Sequence, residues 1–120
     1  MEPQLFISAL KQCYEQSIVF HHQTDSYSAH KALNNFYDEL LGLLDGLIES
    51  AQGIYPIMKG YSLQSPVDYV DVDTTIKYFQ DLYAYIQEHR TMVFPESWLQ
   101  NQIDEIAQLV AETIYQLRLK

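Results

Sequence analysis

Three histidines and two carboxylates stand where metal chemistry could use them. His21 and His22 close the first helical stretch of the sequence, and His30 stands near the start of the second. Asp45 and Glu49 follow on that second stretch, four residues apart and therefore on one helix face. Imidazole nitrogens combined with carboxylate oxygens suit a borderline divalent metal, iron or zinc. His21 continues an apolar stripe one turn beyond Ser17, so its ring is expected to face inward, whereas His22 points elsewhere. Nineteen residues separate His30 from Glu49, which is about 28 Å along a straight helix. One chain therefore cannot bring His30 and the acid pair to the same ion. An antiparallel copy of the second helix would have to supply the carboxylates, so the metal expectation is also an expectation of a homo-oligomer packed through helix two.

Plain structural roles compete with this reading. A histidine at the polar end of an amphipathic helix often serves as a cap or a hydrogen-bonded side chain, and Asp45 and Glu49 taken alone read as solvated acids between leucines. The joint spacing is what favours the metal. A conventional di-iron centre inside one bundle needs Glu-x-x-His pairs, and no Glu in this sequence has a His three residues later. Glu88 and His89 are adjacent and so diverge by about 100° on a helix. Cys13 lies on the apolar stripe and reads as an inert core thiol. The ten tyrosines, Tyr78, Tyr83 and Tyr85 among them, read as core-rim and interface residues. No nucleophile with a base, no glycine-rich phosphate loop and no zinc-finger spacing occurs in the sequence.

The elements that must position these groups are four helices. Pro3 opens a stripe of Phe6, Leu10, Cys13, Ser17 and His21 over about 3–22. Gln23-Thr24-Asp25-Ser26 is a polar break in which Asp25 and Ser26 are N-cap candidates. A longer periodic segment, about 26–53, carries His30, Leu33, Tyr37, Leu40, Leu41, Leu44, Leu47 and Ile48, and Gly53 could end it in a left-handed cap. The periodicity fails across 54–72, a connection long enough to run the length of a bundle. A third segment, about 73–90 and capped by Asp73-Thr74, and a fourth, about 96–118 and opening at Pro95-Glu96, complete the set. Short, long and short connections describe an all-α, ferritin-like four-helix bundle with one crossover between helices two and three. A plain up-down-up-down bundle with a loose middle loop is the alternative. Leu40, Leu41, Leu43, Leu44, Leu47 and Ile48 crowd nine positions of helix two, more apolar surface than one bundle needs, which is a second reason to expect an oligomer through that helix.

Composition bounds the function classes. At 120 residues the chain is one domain. Sixteen acidic against seven basic residues give a formal charge of −9, which argues against strong nucleic-acid binding. A single cysteine excludes an internal disulfide framework and fits a reducing compartment or a virion that needs none. The apolar runs are too short to span a bilayer and the first residues lack the pattern of a signal peptide, so a cytoplasmic protein without membrane attachment is expected.

The run HHQTDSYSAHKALNNFYDELLGLLDGLIESAQG resembles the helix A–helix B region of the Dps family, the mini-ferritins. That family closes helix A with a His, often followed by Trp, and places a second His early in helix B. An acid follows four residues later, and an acid pair lies fifteen and nineteen residues after the second His. His21, His22 in the Trp position, His30, Asp45 and Glu49 match this pattern, while Asn34 stands where the first acid would be. The resemblance implies a four-helix bundle in a hollow oligomer that binds iron and oxidises Fe(II). His21 and His30 of one subunit and Asp45 and Glu49 of its twofold partner would then hold the metal. The run is similar, more closely, to small ferritin-like proteins of tailed phages with unassigned function, which implies a host-cytoplasm location. The absence of a basic tail and the neutral Asn34 leave a second function open: a non-catalytic helical module that binds a protein or small ligand.

Overall fold

Pro3 begins the first helix, α1 (Pro3–Gln23), where a missing N–H costs nothing. A computed structural model describes residues 1–119, in which α2 (Tyr27–Gln52), α3 (Val72–His89) and α4 (Ser97–Arg118) follow, with a 3-10 turn at Arg90–Met92. No strand occurs among the described residues, so the chain is an all-α four-helix protein. Ser26, one of the two expected caps, starts α2 by accepting a hydrogen bond from the Ala29 amide. Each helix end lies within one residue of its expected place, inside the usual fraying of helix termini.

Each helix contributes one stripe to a common core. Phe6, Leu10, Cys13 and Phe20 of α1, Leu33, Phe36, Leu40 and Leu47 of α2, Phe79 and Ile86 of α3, and Leu99, Ile103, Ile106 and Val110 of α4 are buried. Each large apolar side chain removed from water contributes about 1.5–3 kcal/mol. The ring of Phe36 meets that of Phe79 edge-on, with 4.9 Å between centroids, tying α2 to α3 through the centre. Around the bundle α2 packs against α1 and α4, and α3 packs against α4 and more lightly against α1. Arg90 and Gln100 clasp the turn between α3 and α4. The guanidinium donates to the Gln100 carbonyls and to Asp104, and the Gln100 amide donates to the Arg90 and Phe94 carbonyls.

Three expectations require correction. Asp71, not Asp73-Thr74, caps α3: its carboxylate accepts from the Thr74 amide at 2.7 Å, because an N-cap side chain reaches the third helical amide. Gly53 ends α2 with φ −71°, a right-handed conformation, and the left-handed glycine is Gly60 at φ 81° in the following connection. The leucine-rich stretch of α2 is also mostly spent inside one chain. Leu40, Leu44 and Leu47 are core residues and Leu43 and Ile48 are half-buried, which leaves Leu41, 48% exposed, as the one fully open residue of that stretch.

The connection between α2 and α3 lies along α1. Its backbone amides at Ser62, Gln64, Val67 and Tyr69 donate in turn to the side chains of Ser8, Gln12, Gln16 and Gln23. The bonded residues advance together on both segments, so the connection and α1 run in the same direction. The first residues of α2 and α3 and the last of α4 line one cavity of about 630 Å³. No helix among the described residues is long and apolar enough to cross a membrane.

Candidate metal-binding histidine pair

A three-residue turn between α1 and α2 sets His21 and His30 opposite each other across the corner. The two rings stack, with centroids 3.7 Å apart and planes 19° from parallel. Nδ1 of His21 lies 2.8 Å from the His30 carbonyl oxygen, and Nδ1 of His30 lies 2.9 Å from the His21 carbonyl oxygen. A carbonyl can only accept, so both Nδ1 atoms carry the proton. In its neutral form such a ring holds its lone pair on Nε2, the ligand form in which a second-shell acceptor orients the imidazole. Neither Nε2 has a hydrogen-bond partner among the described residues. Nδ1 of His89 is the one buried side-chain polar atom left without a partner among the described residues, so both Nε2 atoms reach solvent. His21 is buried at 8% exposure, as its place on the stripe predicts, and His22 is exposed.

The bond from His30 also has a structural consequence. The His21 carbonyl is among the last four of α1, which lack an intrahelical partner. His30 satisfies it from the next helix, so the histidine pair closes the α1–α2 corner as well as presenting two nitrogens.

Tyr37 packs edge-on against His21, at 5.3 Å between centroids, and against Tyr14. Its phenol donates to Asn34 Oδ1 at 2.8 Å, and Asn34 Nδ2 donates to Asp38 at 3.0 Å. Burial first, then the Asp38 carboxylate, raises the Tyr37 phenol above its ordinary range, which keeps it a protonated donor. Asn34 is thus engaged through both ends of its amide. Tyr37 and Asp38 stand three and four residues after Asn34, and that spacing puts both on its face.

Asp45 and Glu49 are exposed on the outer side of α2. The structure brings His21 and His30 together but not these acids with them. No three His, Cys, Asp or Glu side chains of the one chain converge among the described residues. On the same outer side Leu41 is exposed between Asp38 and Asp45, and Gly42 has open space where a Cβ would be. Cys13 is fully buried, its thiol donates to the Leu10 carbonyl, and burial pushes its pKa far up.

No curated protein and no solved structure matches the chain. Residues 21–117 match a family of unknown function, DUF5856, from His21 through the pair, all of α2, the connection, α3 and nearly the whole of α4, and the chain belongs to that family.

Proposed function

We propose that this protein is a Dps-like metal-binding protein that works as a homo-oligomer, with a divalent metal, iron or else zinc, held between subunits. The observation that carries the reading is the reciprocal pair of Nδ1–H···O=C bonds, which leaves two adjacent imidazoles with solvent-facing Nε2 lone pairs. His21 and His30 would ligate from one subunit, and Asp45 and Glu49 from the antiparallel α2 of its partner. This N₂O₂ donor set suits a borderline divalent cation. Leu41 and Gly42, beside those acids, provide an open surface for the packing of α2 against α2. The connection lying lengthwise along α1, and the shared cavity at the starts of α2 and α3, support the ferritin-like crossover topology. Bound metal would supply Lewis acidity, and for iron redox chemistry. The chain's own residues orient the two imidazoles and keep the Tyr37 phenol protonated beside them.

A second reading is a non-catalytic bundle that binds a protein or small ligand. Asn34 favours it. Its amide is engaged by Tyr37 and Asp38, so it offers no donor to a metal and brings no charge.

Metal content and solution mass of the purified protein separate the two. Stoichiometric metal in an oligomer supports the first, with His30→Ala and Glu49→Ala each losing the metal and a mixture of the two variants regaining part of it. Metal that survives both substitutions places the site elsewhere. Metal-free protein that takes up neither Fe(II) nor Zn(II) leaves the second reading.

A further inference from the structure

We propose that the connection between α2 and α3, residues 56–70, is a strap that detaches from α1 as one unit while the four helices stay folded. The segment makes no backbone–backbone hydrogen bond among the described residues. Side chains hold it instead. Ser8, Gln12, Gln16 and Gln23 take the amides of Ser62, Gln64, Val67 and Tyr69, and Gln52 takes that of Met58. Gln16 grips Val67 from both sides, accepting from its N–H and donating to its C=O, each at 2.8 Å. The four α1 residues are spaced by four, four and seven, so one helix face carries the whole row.

Little apolar burial reinforces this clasp. Ile57, Leu63, Val67 and Val70 are 50–72% exposed. Met58 and Tyr69 pack half-buried against the core, Tyr69 edge-on to Phe20, while Lys11 lies over the Tyr61 ring and Gln23 donates to Asp68. Segments with few buried apolar contacts and exposed hydrogen bonds occupy the low end of the local-stability range. The two ends are held more firmly. Tyr55 donates to both oxygens of Glu96 at one end, and Asp71 caps α3 at the other. Gly60, with φ 81°, gives the chain between them a point of backbone freedom. Opening between these anchors uncovers the glutamine row and the flank of Phe20 that Tyr69 covers, a face of α1 closed to any partner while the strap is seated.

Native-state hydrogen exchange on the full chain tests the proposal. The amides of Gln64, Val67 and Tyr69 should exchange through an opening that is insensitive to low urea, and faster than the Leu40 and Leu44 amides of α2. In Gln16→Ala, whose helical circular dichroism should be unchanged, exchange at Gln64 and Tyr69 should rise about fivefold or more, although their own acceptors are intact. Two results overturn the proposal. In one, the strap amides share the urea dependence and protection of α2. In the other, Gln16→Ala accelerates Val67 alone.

Discussion

The histidine pair makes a stability prediction that can be tested in metal-free protein. His30→Ala removes a hydrogen bond worth about 0.5–1.5 kcal/mol net and leaves the His21 carbonyl at the end of α1 without its partner. It also removes a stacked ring at 3.7 Å, and ring pairs contribute about 0.5–1.5 kcal/mol beyond burial. The sum is about 2 kcal/mol. For a domain of this size the corresponding fall in Tm is about 6–12 °C. His21→Ala loses the same stack and its own bond, but the His30 carbonyl lies inside α2 and keeps its place in the helix ladder. Its cost should come more from lost packing against Tyr37. The double variant should cost less than the sum of the singles by about 0.5–1.5 kcal/mol, the coupling of the two rings. His22→Ala, at an exposed site, is the control and should stay within about 0.5 kcal/mol of the parent. Urea unfolding in the presence of a chelator measures all four. The reasoning is refuted if His30→Ala costs no more than His22→Ala, or if the cycle closes with no coupling.

Phe36→Ala should lose about 3–5 kcal/mol by urea unfolding, since the ring is fully buried against Phe79; a loss below about 1 kcal/mol would show that the two rings do not meet. The backbone amide of Thr74 holds the Asp71 carboxyl below its ordinary range. A depressed carboxyl stabilises above its unfolded value and loses that contribution as pH falls through the folded value, so Asp71→Asn should flatten the acid limb of Tm against pH. The bond to Glu96 raises the Tyr55 phenol. Its contribution is whole below the unfolded value and lost as pH climbs through the folded one, so Tyr55→Phe should flatten the alkaline limb. Cys13 should react with a thiol reagent at the rate of unfolding and not before, which stopped-flow labelling across urea concentrations would read. Any retardation of duplex DNA in a gel should vanish by physiological salt, because a charge of −9 leaves few phosphates to be neutralised.

Helix number, helix limits and the inward turn of His21 follow from local rules: apolar residues at three- and four-residue spacing, Pro3 at a helix start, Ser26 at another. Those rules act within a turn or two of chain, so a linear reading captures them. The same locality explains the misplaced cap of α3. Asp71 and Asp73 are equally good caps by type, and the choice depends on which backbone the connection delivers to the helix start. It also explains the overcounted apolar surface of α2. Leucine spacing says that a face is apolar, while the number of those leucines that one core absorbs depends on where α1 and α4 sit. The histidine stack belongs to the folded chain in the same way. Nothing at nine residues' separation specifies that each ring will donate to the other's carbonyl. The three-residue turn and the antiparallel packing of α1 on α2 bring ring to ring, and with that contact the tautomer of both histidines is set. The glutamines of α1 gain their role only when the connection from the far end of α2 arrives against them, because a side-chain amide has no assigned partner before tertiary structure supplies one.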